Sequence, residues 1–519
     1  MKKIENNLLD YSVANKGVFL VGGAPRSFLM GETPSDYDYV LIGFTANEIV
    51  NMGGVKVGKE AEVYLLKPFF KPHENIILTQ EEHRLARTEE STGDGYNDFD
   101  FNTEGVSLLE DLSCRDLTVN AMAYNENWEL IDPFNGEKDL ENKILRHVYH
   151  DGMPNKEAFS EDPVRILRAA RFASRYSDFT IAPETIELMK DMVKKGMISS
   201  LSPDRVWKEL MKVFKEDKPS IFFKVLDDIG ALDILFPELS NLKGKHQNPK
   251  YHFEGDSFIH TLMVLDKAAE VSTANNLNDE DRSLVLFGSL YHDLGKGLTP
   301  TKLHSLGKHH GHDSMTKTFE LENDVKEVLK VNDKIEEVTL PALLKFIEKR
   351  LGANSKKYIK FAGQSILSHQ IFHNFDTLNA KTKVSFFTKP DKLSLTHKTD
   401  RRIVELLTLV ANSDNAGRIF LTVDETKSSD LVIDGIHYSE NTSDISEYHQ
   451  KDDILEVFDI VTNIGIKDTN IDLDDIKNIK PETIQVKIYG ARLDAVKKID
   501  ADKKENILIE KKEQENKIK

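Results

Sequence analysis

An α+β chain is predicted, with a small β-sheet head followed by an all-helical neck and body and then a third, helical region. Three observations predict it. Short β-rich apolar runs separated by turn signals continue to about Val148, apolar residues at helical spacing take over after Ser160, and histidines concentrate in the last half. The boundaries are placed at 1–148 for the head, 149–245 for the neck and body, and 246–490 for the histidine-rich region. A charged tail follows at 491–519.

The head is organised around Val18 to Gly43, VFLVGGAPRSFLMGETPSDYDYVLIG, after a polar lead-in over 1–17. Val18–Val21 is an apolar run expected as a buried strand, and Gly22-Gly23 lets the backbone turn sharply and approach a ligand. Pro25 suits a first helical turn and Gly31 the residue just past a helix end. A second strand is expected from Asp36-Tyr37-Asp38 into Tyr39–Ile42, which sets Asp36 and Asp38 on one face. Two carboxylates so close repel unless a cation lies between them, and an all-oxygen pair suits Mg²⁺. Arg26, one turn into the intervening helix, could pair with a triphosphate. This is the outline of a nucleotidyl-transfer centre.

Further along, Val55–Val57, Ala61–Leu66, Thr118–Tyr124 and Leu130–Asp132 read as short β-rich pieces, with turns at Asp132-Pro133 and Asn135-Gly136. Thr88–Gly105 is polar and expected as a surface loop. Arg115 stands in LSCRDLTVNAM just before a buried element. Helix starts are predicted at Asp162-Pro163, Ala182-Pro183 and Ser202-Pro203-Asp204. Asn241–Phe253 is expected as a polar linker, Asp424–Thr442 as a loop, and the last residues as an exposed helix fraying into a tail.

Asp162 and Arg165 are three residues apart at a helix start, an acceptor beside a planar fork of donors. Cytosine and adenine each present an amino donor beside a ring-nitrogen acceptor; uracil and guanine present the reverse. Such a pair would accept C and A and reject U and G. The competing reading is a helix cap with a local ion pair. In the third region His260 and His292-Asp293, followed by GKG and HHGH, supply imidazoles and a carboxylate of the kind that holds a water-activating metal. His309, His310, His312, His369 and His373 enlarge that pool.

The net charge of −18 argues against nucleic acid taken as an average, but Arg165–Lys218 carries twelve cationic side chains that a fold could gather on one side. One cysteine, Cys114, excludes an intramolecular disulfide and suits a reducing cytoplasm. No run of about 18 apolar residues exists, so no membrane span is expected, and the first residues do not resemble a signal peptide.

These motifs occur in one order: VGGAPRS, DYD, LARTE, SCRDLTVNAM, IDPFNGEKDLENKILRHV, EDPVRILRAARFASRY, SPDRVWKEL, LFPEL, HTLMVLDKAA, LYHDLGKGLTP, HHGH and LNAKT. The chain thereby resembles the bacterial class II CCA-adding tRNA nucleotidyltransferases of the long form with an HD domain, the multifunctional CCA proteins. The resemblance implies a nucleotidyltransferase head, a helical neck and body that selects the base and binds tRNA, and a helical HD domain. It implies that Asp36 and Asp38 hold Mg²⁺, that Gly23, Arg26 and Arg115 bind the triphosphate, and that Asp162 and Arg165 act as the protein template for the base. It also implies an HD centre of His260, His292, Asp293 and Asp414 with a divalent transition metal such as Ni²⁺, hydrolysing phosphomonoesters and 2′,3′-cyclic phosphates. Implied partners are the tRNA 3′ end, CTP and ATP, for a protein that is a monomer or a homodimer. The nearest alternatives are a poly(A) polymerase of the same superfamily and an HD phosphohydrolase with a non-catalytic RNA-binding head.

Departures from the family pattern stand at Ser27, where an Asp is usual, and at Cys114, where an Arg is usual. An extended segment around Pro68–Gln80 and the charged tail are further departures.

Overall fold

The computed structural model describes residues 15–57, 63–70, 81–91, 99–149, 158–304, 306–330, 335–388, 400–424, 431–433, 436–448, 450–469 and 480–518. Most of the lead-in, the tip of the Thr88–Gly105 segment and most of the Pro68–Gln80 segment lie outside these residues. Two compact units form: Met1–Val213 with Ile221–Leu235, and Phe214–Ser220 with Phe236–Lys519.

The first unit holds a sheet whose strands run, edge to edge, Val55–Val57, Val63–Leu66, Glu81–Leu85, Asp38–Ile42, Gly17–Val21, Ala123–Tyr124 and Leu130–Ile131. Asp38–Ile42 pairs parallel with Glu81–Leu85, and its other neighbour, Gly17–Val21, is antiparallel. Period-two alternation splits the core across the sheet. Val21, Val40 and Ile42 face Leu108, Leu109 and Leu112 of the helix Leu108–Ser113, while Leu20 and Tyr39 face Ala24 and Tyr124. Each such fully buried aliphatic side chain contributes about 1.5–3 kcal/mol. The register puts Val21 opposite Asp38, so the glycine turn after one strand lies beside the carboxylates before the other. Asp36 sits just ahead of the strand, which begins at Asp38.

The three predicted helix starts are followed by helices at Val164–Arg175, Pro183–Lys194 and Pro203–Val213. The Thr88–Gly105 segment is not all loop: Thr88–Ser91 and Phe99–Asn102 pair antiparallel. Thr118–Tyr124 splits into a 3₁₀ turn, Thr118–Asn120, and the strand Ala123–Tyr124.

The second unit is largely helical. Four helices, Ser257–Ala274, Asp279–Tyr291, Lys356–His373 and Arg401–Ala416, pack against one another. Asp256, Asn278 and Asp400 cap three of them by accepting backbone N–H groups, each cap worth about 1 kcal/mol. The expected linker Asn241–Phe253 differs from its description: Asn241, Lys245 and Gln247 are buried, and Asn241 donates to the Gly297 carbonyl at 2.7 Å. Asp424–Thr442 also differs from a loop, because Ile436–Thr442 pairs antiparallel with Ile419–Val423, Leu421 opposite Glu440 and Val423 opposite Tyr438. Pro481–Ile518 forms one helix. Among the described residues no helix is long and apolar enough to cross a membrane.

Candidate functional site

The first unit contains a cavity of about 640 Å³ lined by Gly23, Arg26, Asp36, Asp38, Arg115, Asp162 and Arg165. All seven head and neck residues singled out in the sequence therefore meet in one place. Ten cationic and five acidic side chains line it, and seven of the twelve cations of Arg165–Lys218 are among them. The chain is acidic as a whole, yet this cavity is basic.

Gly22 has φ 75°, a left-handed conformation that favours glycine, and a Cβ there would stand 3.1 Å from Asp38 Oδ2. The helix Gly23–Leu29 then presents Arg26, buried, with its guanidinium 5.2 Å from the Phe172 ring centre and donating to Asn120 Oδ1. Burial raises the Asp38 carboxyl to about 6, and the neighbouring Asp36 adds to that. A buried carboxylate with a second one beside it fits a divalent cation, which would offset both the burial and the repulsion at Asp38.

Arg115 is held at 3.2 Å by Asp111, whose carboxylate also takes two bonds from Arg84, at 2.6 and 2.9 Å. Burial works against the charge on Asp111, but Arg84 and Arg115 hold it below the usual carboxylate range. Asp116, next to Arg115, binds Arg168 at 2.8 Å and Asn120 at 3.0 Å. Asp111, Asn120 and Asp116 were not singled out from the sequence. Their signal is legible only once burial is known, since all three polar side chains are buried.

Asp162 accepts the Val164 N–H at 3.0 Å, as a cap would, and its other oxygen accepts from Arg205 on the helix Pro203–Val213. Arg165 is buried and donates to the carbonyls of Ala158 and Cys114, the latter at 2.7 Å. Each member of the pair is thus anchored by a different element. Arg205 is a further residue that sequence spacing did not point to.

In the second unit, His260, His292, Asp293 and Asp414 also come together. His260 Nε2 lies 3.1 Å from Asp414 Oδ1 and 3.7 Å from Asp293 Oδ2. His292 Nε2 lies 3.2 Å from Asp293 Oδ2 and 3.7 Å from Asp414 Oδ1. His292 Nε2 and both Asp293 oxygens are buried without a well-directed hydrogen bond, which is the donor set a divalent metal satisfies. Glu254 stands 2.8 Å from His260 Nδ1 and orients that ring; sequence reading missed it. His373 contacts Asp414, and its ring lies within 3.4 Å of Arg418, so it positions the carboxylate. His312 and His369 approach the other Asp293 oxygen, and burial pushes His369 down to about 3, keeping it neutral. Burial works against the Asp293 charge too, but Lys296 and His292 hold its carboxyl well below the usual range.

Residues 18–146 match the family model of the Poly A polymerase head domain. Residues 178–243 match the probable RNA and SrmB-binding site of polymerase A, and 257–380 the HD domain. The chain is 44% identical over 301 residues to a multifunctional CCA protein of Hahella chejuensis, and 46% identical over 298 residues to one of Thioalkalivibrio sulfidiphilus. Each match covers 57% of this chain and spans just under two thirds, 65% and 66%, of the relative's length. A solved CCA-adding enzyme in complex with ATP is similar in fold, with TM-score 0.51 and 17% identity, over 95% of this chain and 91% of that one. A CTP complex gives 0.50 and 18%, over 96% and 92%. The resemblance expected from the ordered motifs and the α+β class are both borne out.

Proposed function

We propose that this chain, a homologue of the multifunctional CCA proteins that carries their head and HD domains, adds C, C and A to the 3′ end of tRNA. The substrates would be CTP and ATP, and the HD domain would hydrolyse phosphomonoesters and 2′,3′-cyclic phosphates. The observation that carries this reading is the basic cavity in which Asp36, Asp38, Arg26, Arg115, Asp162 and Arg165 converge.

Asp36 and Asp38 hold Mg²⁺, which when bound polarises the phosphates and eases ionisation of the attacking hydroxyl. Arg26, steadied by Asn120, and Arg115, steadied by Asp111, bind the triphosphate and offset the charge that grows on the leaving pyrophosphate. The tRNA 3′ oxygen bonds to the α-phosphorus as the bond to the bridging oxygen breaks. Asp162 accepts from the amino group of C or A and Arg165 donates to the ring nitrogen beside it. Arg168, Arg171, Arg175, Lys208 and Lys212 extend the cationic wall along which RNA phosphates lie.

In the HD domain His260, His292, Asp293 and Asp414 hold a divalent transition metal, with Ni²⁺ the favoured ion, which supplies an activated water when bound. The protein acts in the cytoplasm, in keeping with its lone cysteine.

Incubation with a tRNA lacking its CCA end and with CTP alone tests the reading. Two cytidines are expected. No incorporation from CTP overturns it, and incorporation from ATP alone would favour a poly(A) polymerase.

A further inference from the structure

Arg84 stands opposite Val40 in the parallel pairing of Glu81–Leu85 with Asp38–Ile42, so the two side chains share a face of the sheet. That face meets the helix Leu108–Ser113, and Asp111 on this helix, fully buried, receives the Arg84 guanidinium. Nη1 lies 2.6 Å from Oδ1 and Nη2 2.9 Å from Oδ2, the two-pronged geometry of a strong ion pair. Arg115 reaches the same carboxylate with one nitrogen only, Nη2, at 3.2 Å from Oδ2. We propose that Arg84 is a positioning residue for nucleotide binding, which engages Asp111 with both prongs and so leaves the charge of Arg115 to the triphosphate. This rests on the CCA-addition reading above. It gives a side chain that does not itself line the cavity the task of keeping the cavity basic.

Two guanidinium groups against one carboxylate leave this cluster with one net positive charge. Without Arg84 that charge is gone, and Asp111 can draw Arg115 into a two-pronged pairing of its own. The hydrogen bonds of Arg115 are those of a group not yet fully committed. Its Nη1 donates to the Asn120 carbonyl at a long 3.4 Å, and its buried Nε has no partner among the described residues. The Nη1 end also lies at the glycine turn. A Cβ at Gly22 would stand 3.8 Å from it and 3.1 Å from Asp38 Oδ2. Arg115 thus spans from Asp111 to the wall of the cavity beside Asp38.

Burial opposes the charge on both partners. At Asp111, Arg84 does most to offset it, ahead of Arg115. At Arg115, Asp111 supports the charge while Arg84 repels it. An arriving triphosphate offsets that repulsion, so its binding is favoured most when both arginines are present.

The test measures CTP binding to the full-length protein at equilibrium, with KM and kcat for CTP addition to a tRNA lacking its CCA end. Arg84→Met keeps the aliphatic stem, removes the charge and leaves Asp111 paired with Arg115. Its dissociation constant and KM for CTP are expected to rise about tenfold, by more than kcat falls. Arg84→Lys, which keeps the charge without the fork, should fall between parent and Arg84→Met. Arg84→Met/Asp111→Asn removes the anion as well and restores the net charge, so it should bind CTP more tightly than Arg84→Met alone. A merely structural role predicts the reverse, because the double variant loses more contacts. Unchanged CTP affinity in Arg84→Met, or a double variant that binds no better than the single one, overturns the inference. Should the double variant fail to fold, Arg84→Lys decides, and affinity no better than that of Arg84→Met overturns it. A parent that binds no CTP overturns the CCA-addition reading and this inference with it.

Discussion

Arg205 holds Asp162 across 43 residues of sequence, pairing the helix Pro203–Val213 with the turn that opens the helix Val164–Arg175. The carboxylate proposed to read the base is therefore aimed by a neighbouring helix. Asp162→Ala is expected to lose discrimination against UTP and GTP together with rate. Loss of a charged hydrogen bond is worth about 1.5–3 kcal/mol, or about ten- to a hundredfold in the C-to-U ratio. Arg205→Ala should show a smaller loss of the same kind. Incorporation of each of the four nucleotides into a tRNA primer measures both, and unchanged selectivity in Asp162→Ala would refute the template role.

Asp38→Asn keeps the shape of the strand start but removes one anionic metal ligand. Nucleotide addition should fall about 10³-fold or more, while hydrolysis by the HD domain stays unchanged. Parallel assays of CTP incorporation and 2′,3′-cyclic phosphate hydrolysis separate the two, and equal loss of both would count against independent sites.

The converse substitution is His292→Ala. Its hydrolysis should disappear and its CCA addition persist, because the head's proposed ligands lie in a different compact unit. Retained metal-dependent hydrolysis would contradict the ligand assignment.

Asp116 tests stability. Burial opposes its charge, but Arg168, at 2.8 Å, and Asn120 hold its carboxyl below the usual range. Asp116→Asn should cost about 2 kcal/mol, less than for a wholly buried pair because Arg168 is about one-third exposed. The folded value is depressed, so this contribution is present above the unfolded value of about 4 and is lost as pH falls through it toward the folded one. Urea midpoints of parent and variant should differ at pH 7, and the gap should begin to narrow only as pH falls below about 4. A gap that stays constant would rule out the ion pair as its source.

Much of the site was legible without coordinates. Gly23, Arg26, Asp36 and Asp38 lie within one strand–turn–strand unit, whose local rules of glycine turns and period two already bring them together. The helix starts beside proline, at Val164, Pro183 and Pro203, were legible for the same reason. Local rules misled where pairing was long-range: Ile436–Thr442 reads as polar loop until Ile419–Val423 supplies its partner. Asn241–Phe253 reads as linker until the buried neighbours of Asn241 and Gln247 are seen.

By itself the sequence determined the α+β class and the resemblance, and suggested the kinds of chemistry proposed, because those depend on residue types at short spacing. Tertiary structure alone decided which groups share a cavity and what aims each one. Asn120 on Arg26, Asp111 on Arg115, Arg205 on Asp162 and Glu254 on His260 are contacts made across the chain, and no local periodicity encodes them. The division of the two Asp293 oxygens between separate pairs of histidines likewise follows from helix packing, which sets atoms from distant segments within about 4 Å of one another.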